Sequence, residues 1–214
     1  MNADFSDHTT PAQALAAQAR ESIPGYRLGD AALARSPLTL AELELLKATT
    51  LIGADDIHAL HEAGKVLEPQ IDAILDVWYG YVGSHAHLAR YFANPADGKL
   101  NETYLARVRA RFGQWIRDTT AASFDQAWLD YQHEFALRHT RAKKNTTDHV
   151  ISEPHIHFRW MVAFIIPISI TVEPFLRKGG SSEAQVLRMH RAWTKALVLQ
   201  VALWSEAYVR QEDY

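Results

Sequence analysis

Residues 126–139, wound as a helix, bring Trp128, Tyr131, Gln132, Phe135 and His139 onto one face, the i, i+3, i+4, i+7, i+11 series of a core-facing stripe. The stripe is aromatic and ends in an imidazole. A neutral imidazole is a good metal ligand, and one that projects alone among aromatic rings suits the axial position of an iron porphyrin. The same pattern fits a hydrogen-bonded core histidine, so this segment by itself leaves both readings open.

A second stretch adds hydrogen-bond donors. In Ile74-Leu75-Asp76-Val77-Trp78-Tyr79-Gly80-Tyr81, Trp78 lies on an apolar stripe and Tyr79 sits about 100° further round, where a phenol can point between helices. Two adjacent donors set into an apolar helix suit either core packing or the ceiling of a polar-tipped pocket. The pairs His58 and His61, His85 and His87, and His155 and His157 have spacings that can reach a metal, yet none carries the Glu-x-x-His arrangement of di-iron bundles. No Gly-rich phosphate loop and no Gly-x-Ser-x-Gly elbow supports a nucleotide enzyme or a serine hydrolase.

These groups need a core to position them, and 214 residues, 48% hydrophobic with six Trp, are enough for one large domain rich in rings that can line a flat cofactor. The formal charge of −3 offers no broad basic field, which argues against a nucleic-acid partner. With no cysteine, disulfides, thiolate catalysis and thiolate-held metals are excluded, and a metal must rest on His or carboxylate. Residues 1–10 contain Asp4 and Asp7 and lack the basic and apolar regions of a signal peptide. The most apolar stretch, Trp160 to Val172, falls short of the roughly 20 residues that span a bilayer. The expectation is a cytoplasmic protein with no membrane partner.

The periodicity is helical throughout. Residues 1–22 read as an extension, disordered or partly helical, and Ile23-Pro24-Gly25-Tyr26 as a turn. Thr39 or Ser36 caps a helix from Leu40 to Ile52, Asp55 and Asp56 open the next, and Pro69 marks a kink or break on the way to Ser84. Asn94 to Gly98 is turn chemistry, and Asn101 caps a helix bearing Leu105, Val108, Phe112, Trp115 and Ile116. After His139 the run Arg138, Arg141, Lys143, Lys144 either complements the helix macrodipole or neutralises an anionic ligand. Pro154 to Leu176 is too long for a strand, with Pro167 and Pro174 implying bends. Ser181 or Ser182 caps a last helix to about Tyr208, whose Val186, Met189, Trp193, Leu197, Val198, Val201 and Trp204 exceed one stripe, so one face is expected on the core and one on a partner chain. The fold class is all-α, with six to eight helices.

The run Trp78-Tyr79-Gly80-Tyr81-Val82-Gly83-Ser84-His85 closely resembles a signature of protoglobins, single-domain relatives of the globin-coupled sensors. So do Trp128-Leu129-Asp130-Tyr131-Gln132, Leu137-Arg138-His139, Lys143-Lys144-Asn145, Val162-Ala163-Phe164-Ile165 and Leu199-Gln200-Val201-Ala202-Leu203-Trp204-Ser205, in order and spacing. The resemblance runs from about Ile23 to Tyr214, which makes 23–214 one haem-binding domain.

The resemblance implies a globin-like helical sandwich with an additional N-terminal helix and one haem b per chain. His139 matches the proximal iron ligand, Trp78 and Tyr79 the distal pair, and Phe112 and Phe164 the distal aromatic lining. Phe92, Tyr104, Leu105, Val108, Met161 and Ile168 fall at haem-facing positions, with Met161 standing where a Leu is expected, and Arg111, Arg138 and Arg141 are candidates for the propionates. It further implies a deeply buried haem reached by tunnels, diatomic gases (O2, CO, NO) as ligands, and a homodimer through the last two long helices. Reversible gas binding is the favoured function. Its rivals are a gas sensor signalling to a separate protein, since the sequence stops soon after the last helix, and a haem enzyme with peroxidase or NO-dioxygenase activity, for which the distal signature has Trp and Tyr in place of the usual His and Arg.

Overall fold

The computed structural model describes residues 23–210; the segment 1–22, read above as an extension, lies outside the described residues. Local chemistry starts each helix. Helix α1, Leu40–Thr49, opens with a capping box in which Thr39 Oγ1 accepts the Glu42 N–H at 3.2 Å and the Glu42 carboxylate accepts the Thr39 N–H at 2.7 Å. Helix α2, Ala54–Leu67, starts with the Asp56 carboxylate on the Gly53 N–H at 3.0 Å. Pro69 ends it in a single 3-10 turn, Glu68–Gln70, and α3 follows over Ile71–Gly83. The short α4, Ala86–Ala89, leads to α5, Glu102–Ala121, capped by Asn101. Helix α6 spans Gln126–Leu137 with Asp125 as its cap. Then come α7, Phe158–Ala163, α8, Ile165–Lys178, and α9, Glu183–Trp204, capped by Ser182.

Among the described residues the chain is all-helical, with one isolated antiparallel bridge, Ala93 to Leu100, closing the turn that Gly98 makes at φ +70°. The nine α-helices among the described residues exceed the expected six to eight, in part because one break falls where it was not anticipated. Pro167 has no N–H for the Ala163 carbonyl and its ring crowds that carbonyl, so the helix parts at Phe164, three residues earlier than a bend at the proline itself. Pro174, inside α8, breaks nothing. Taken together α7 and α8 form a 21-residue apolar run, Phe158–Lys178, long enough by length and composition to cross a membrane, in contrast to the shorter stretch expected. Its outer positions Val162, Ile166 and Ile170, spaced four residues apart, are 46%, 61% and 62% exposed.

Helix α9 is the central element: it packs against α2, α6 and α8, while α2 also crosses α5 and α3 lies on α5 and α8. Gly64 allows the α2–α5 approach, since a Cβ there would meet Thr120 Oγ1 at 2.8 Å. Two buried glutamines lock α9 in rotation. Gln200 Oε1 accepts the Trp115 indole N–H at 2.7 Å, and Gln132 Oε1 accepts that of Trp204 at 2.9 Å, so neither amide nor indole is left unsatisfied in the core.

This arrangement corrects one expectation. Val186, Met189, Trp193, Leu197, Val201 and Trp204 are all buried within the chain itself and form no second face. The apolar residues that α9 leaves exposed are Leu187 and Val198. Six large rings and aliphatics exceed one helical stripe because the C-terminal half of α9 is enclosed by its own chain on several sides.

Candidate functional site

A cavity opens between α3, α5, the end of α6 with the loop after it, α7, α8 and α9; the volume that the centre of a water molecule can reach is about 240 Å³. Its walls are overwhelmingly apolar and aromatic, with a few polar groups at one end, as expected of a cofactor site. Each wall comes from a register already visible in the helices. Helix α5 contributes Tyr104, Val108, Arg111, Phe112 and Trp115, one face at helical spacing, and α3 contributes Trp78, Tyr79, Tyr81 and Val82.

His139 lies in this wall, and its position differs from the expected one. Helix α6 ends at Leu137, so His139 stands in the turn beyond it, its own N–H bonded to Ala136 O at 3.0 Å. That shift frees the Phe135 carbonyl from its usual partner four residues on, and the His139 Nδ1–H takes it at 2.8 Å. With Nδ1 donating to a carbonyl, the neutral ring carries its lone pair on Nε2. Burial, opposed by the Phe135 bond and aided by the Lys144, Arg138 and Arg111 cations, pushes the pKa down to about 4, so the ring is neutral at physiological pH. The Phe135 ring sits 4.6 Å from the imidazole and stacks on Trp204 at 4.4 Å.

Across the cavity, Trp78 packs on Phe112 with ring centroids 4.4 Å apart, and Tyr79 faces Phe92 at 6.3 Å with the Arg109 guanidinium over its ring at 5.8 Å. Burial raises the Tyr79 pKa well above its ordinary value, which keeps its O–H a donor. Three buried indole N–H groups have no acceptor among the described residues: Trp78, Trp128 and Trp193. Trp128 and Trp193 meet aromatic rings edge-on, at Phe124 and Trp115, whereas Trp78 belongs to the cavity wall. An orphaned buried donor costs about 1–3 kcal/mol, a cost that an acceptor in the cavity would relieve.

At the polar end, Arg111 grips Asp148 through Nη1 at 3.1 Å and Nη2 at 2.5 Å, and gives Nη1 to Pro24 O at 2.6 Å. Arg138 bonds Glu134 through Nε at 2.8 Å and Gly25 O through Nη1 at 2.6 Å. The two arginines thereby strap residues 23–26 across the site. The strap is the expected turn: Tyr26 N bonds Ile23 O at 3.1 Å, and Gly25 has φ +77° with Thr147 so near that a Cβ would lie 2.5 Å from its methyl.

The structure therefore gathers His139, Trp78, Tyr79, Phe112, Phe164, Phe92, Tyr104, Val108, Met161, Ile168, Arg111 and Arg138 around one cavity. Two anticipated residues do not line it. Leu105 lies just outside the arc of α5 that the five lining residues occupy, near the start of the helix. Arg141 is exposed, because the chain has left the helix and turned before reaching it. The paired histidines hold no metal geometry: among the described residues no group of three metal-ligating side chains converges. Asp148 and Trp204 carried no local signal for the site; Tyr131 was visible on the His139 stripe and residues 23–26 as a turn, but neither was placed at the site, and Lys144, read as part of a basic run, has its side chain buried in the wall.

The residues fit a haem: one neutral imidazole with a free Nε2, aromatic walls, an orphaned donor opposite, and cations at one end. The comparisons point the same way. Residues 39–214 match the family model described as Protoglobin. No curated protein matches the chain.

The desolvated imidazole, half-buried in the cavity wall, makes the cofactor-free chain acid-sensitive in a defined window. The folded pKa of about 4 lies below the ordinary 6.5, so the unfolded chain takes the proton first as pH falls. Folding stability drops between about pH 6.5 and 4 by roughly 3 kcal/mol and is flat with respect to this group outside that window. His139→Phe removes this part of the dependence in urea titrations at several pH values. Identical slopes for both chains would show that His139 is not desolvated as described.

Proposed function

The chain belongs to the protoglobin family, which binds gases on a haem, and from that premise we propose that it holds a non-covalent haem b on His139 and reversibly binds O2, CO and NO beside Trp78 and Tyr79. The observation that carries the reading is the imidazole in the cavity wall, its tautomer fixed by Phe135 so that Nε2 is the free ligand atom. With no cysteine in the chain, thioether attachment has no anchor, which supports haem b over a covalent haem. A bound haem supplies the iron on which a diatomic gas is taken up and released.

The protein's part is to orient, exclude water and donate. Phe112 and Phe164 narrow the space on the Trp78 side, and Tyr79 and Trp78 offer O–H and N–H donors there. O2 held as a ligand would take on partial negative charge and gain from these donors, whereas CO would stay nearly apolar and gain little. His139→Ala should lose most of its haem on gel filtration, while His133→Ala should keep it, because His133 sits outside the cavity on Glu206 at 3.0 Å. Equal retention by both variants would remove His139 from the role, and a purified wild type without a Soret band would remove the haem.

The distal donors have their own test. Tyr79→Phe should speed O2 dissociation up to about tenfold and change CO release far less, a ratio that corresponds to one hydrogen bond. Stopped-flow rates are needed for Tyr79→Phe, Trp78→Phe and the double variant, since either donor can cover for the other. Unchanged O2 release in the double variant would end the assignment.

We also infer that the chain pairs with a second copy through α8 and α9. Support comes from the exposed stripe Val162, Ile166 and Ile170, with Leu187 and Val198 on the neighbouring helix, an apolar face of the kind that marks an interface. Sedimentation at micromolar concentration should give a dimer, and Ile170→Glu a monomer. A monomeric wild type would contradict the inference.

A further inference from the structure

Lys144 is buried, 7% exposed, and lines the cavity beside Arg111 and Asp148. A lysine is almost never found at this depth without a charged partner. Here its ammonium contacts only neutral oxygens: Tyr104 Oη at 2.7 Å, Ser152 Oγ at 3.1 Å, Tyr91 O at 3.2 Å and Asn145 Oδ1 at 3.4 Å. Among the described residues no carboxylate oxygen lies within salt-bridge distance of it, although every other cation on the cavity wall has one: Arg111 has Asp148, and Arg138 has Glu134, which also takes Lys143 at 2.5 Å. Among the described residues Lys144 is the one Lys or Arg of the cavity wall without a direct ion pair; Asp148 and Glu153 act on it only from beyond salt-bridge distance.

We propose that Lys144 is the carboxylate-binding cation of this cavity and that it receives a propionate of the bound haem. The inference rests on the haem reading above and says which side chain meets the cofactor's acid. Arg111 and Arg138 are weaker candidates for that task. Their charges are already paired with Asp148 and Glu134, and each also gives an N–H to a strap carbonyl, Pro24 O or Gly25 O, so their work is to hold the strap. Tyr104 supports Lys144 from the same wall: its hydroxyl accepts from the ammonium, its ring lies 4.9 Å from Nζ, and burial pushes its pKa up to about 12, so it keeps its own proton. Desolvation lowers the Lys144 pKa to about 8 against the opposing pull of the Asp148 and Glu153 carboxylates, the response of an ammonium that has lost water without gaining a direct ion pair. A carboxylate delivered by a ligand converts that unfavourable burial into a charge-assisted hydrogen bond, at once tight and selective for an acidic porphyrin.

The test pairs a side-chain change with a change in the cofactor. Affinities for haem and for haem dimethyl ester, in which both propionates are uncharged, are measured for wild type and Lys144→Met. Wild type should prefer haem, and Lys144→Met should reduce that preference by about tenfold or more through weaker haem binding alone. Equal weakening of both porphyrins would mean that Lys144 merely ties the loop to Tyr91 and Tyr104, and would overturn the proposal. Failure of wild type to bind either porphyrin would instead sink the haem reading. If Lys144→Met does not fold, the wild type alone decides: the Lys144 Cε resonance, titrated with and without bound zinc protoporphyrin, should report a pKa raised by about one pH unit or more on loading. An unchanged value would overturn the proposal as well.

Discussion

The hydrogen bond from His139 Nδ1 to the Phe135 carbonyl, 2.8 Å long, is the contact on which the rest of the site depends. It exists because α6 stops two residues early. Inside a continuing helix the Phe135 carbonyl would accept the backbone N–H of residue 139; beyond the helix end that N–H turns to Ala136, and the orphaned carbonyl becomes the imidazole's acceptor. One event at a helix terminus thus satisfies a buried acceptor, fixes the tautomer and directs the other nitrogen away from the backbone. The ring is kept neutral by the same burial that makes it a ligand.

Such a ring holds its direction only if the surroundings cannot repack. Trp204 supplies that constraint: its indole N–H is fixed to Gln132, its face stacks on Phe135, and it lies nearly parallel to His139 with centroids 6.4 Å apart. The Trp204 to Gln132 bond joins α9 to α6, and Trp115 to Gln200 joins α5 to α9, so opposite walls of the cavity are held by amide to indole bonds as well as by packing. Aromatic side chains have few rotamers and large faces, which is how a core can keep a slot open that aliphatic chains would fill.

The polar end is built on different physics. Three cations and one carboxylate line it, and the strap at Pro24 and Gly25 is held by two arginines already neutralised by acids. Arginine suits this double task because its planar fork can engage a carboxylate and a carbonyl together. Lysine has a point charge and a flexible stem, and Lys144 reaches the cavity without a direct ion pair among the described residues.

Much of this was legible in the chain. The caps at Thr39, Asn101 and Ser182, the break at Pro69 and the turn at Gly25 rest on contacts within a few residues, and short-range contacts are written in the order of the residues. The aromatic stripe leading to His139 and the motif around Trp78 likewise named the two sides of the site, because helical periodicity fixes which residues share a face. What the order of residues did not determine was which faces meet. Trp193, Leu197, Val201 and Trp204 are core because α2, α5 and α6 enclose them, a fact about distant segments. The basic run from Arg138 to Lys144 looks uniform in sequence, yet folding sends Arg138 to Glu134 and Gly25, leaves Arg141 in solvent and buries Lys144. Sequence spacing specifies the periodicity of a helix face, but the partner of a charge is set by long-range packing, where desolvation differs from one residue to the next while their chemistry is the same.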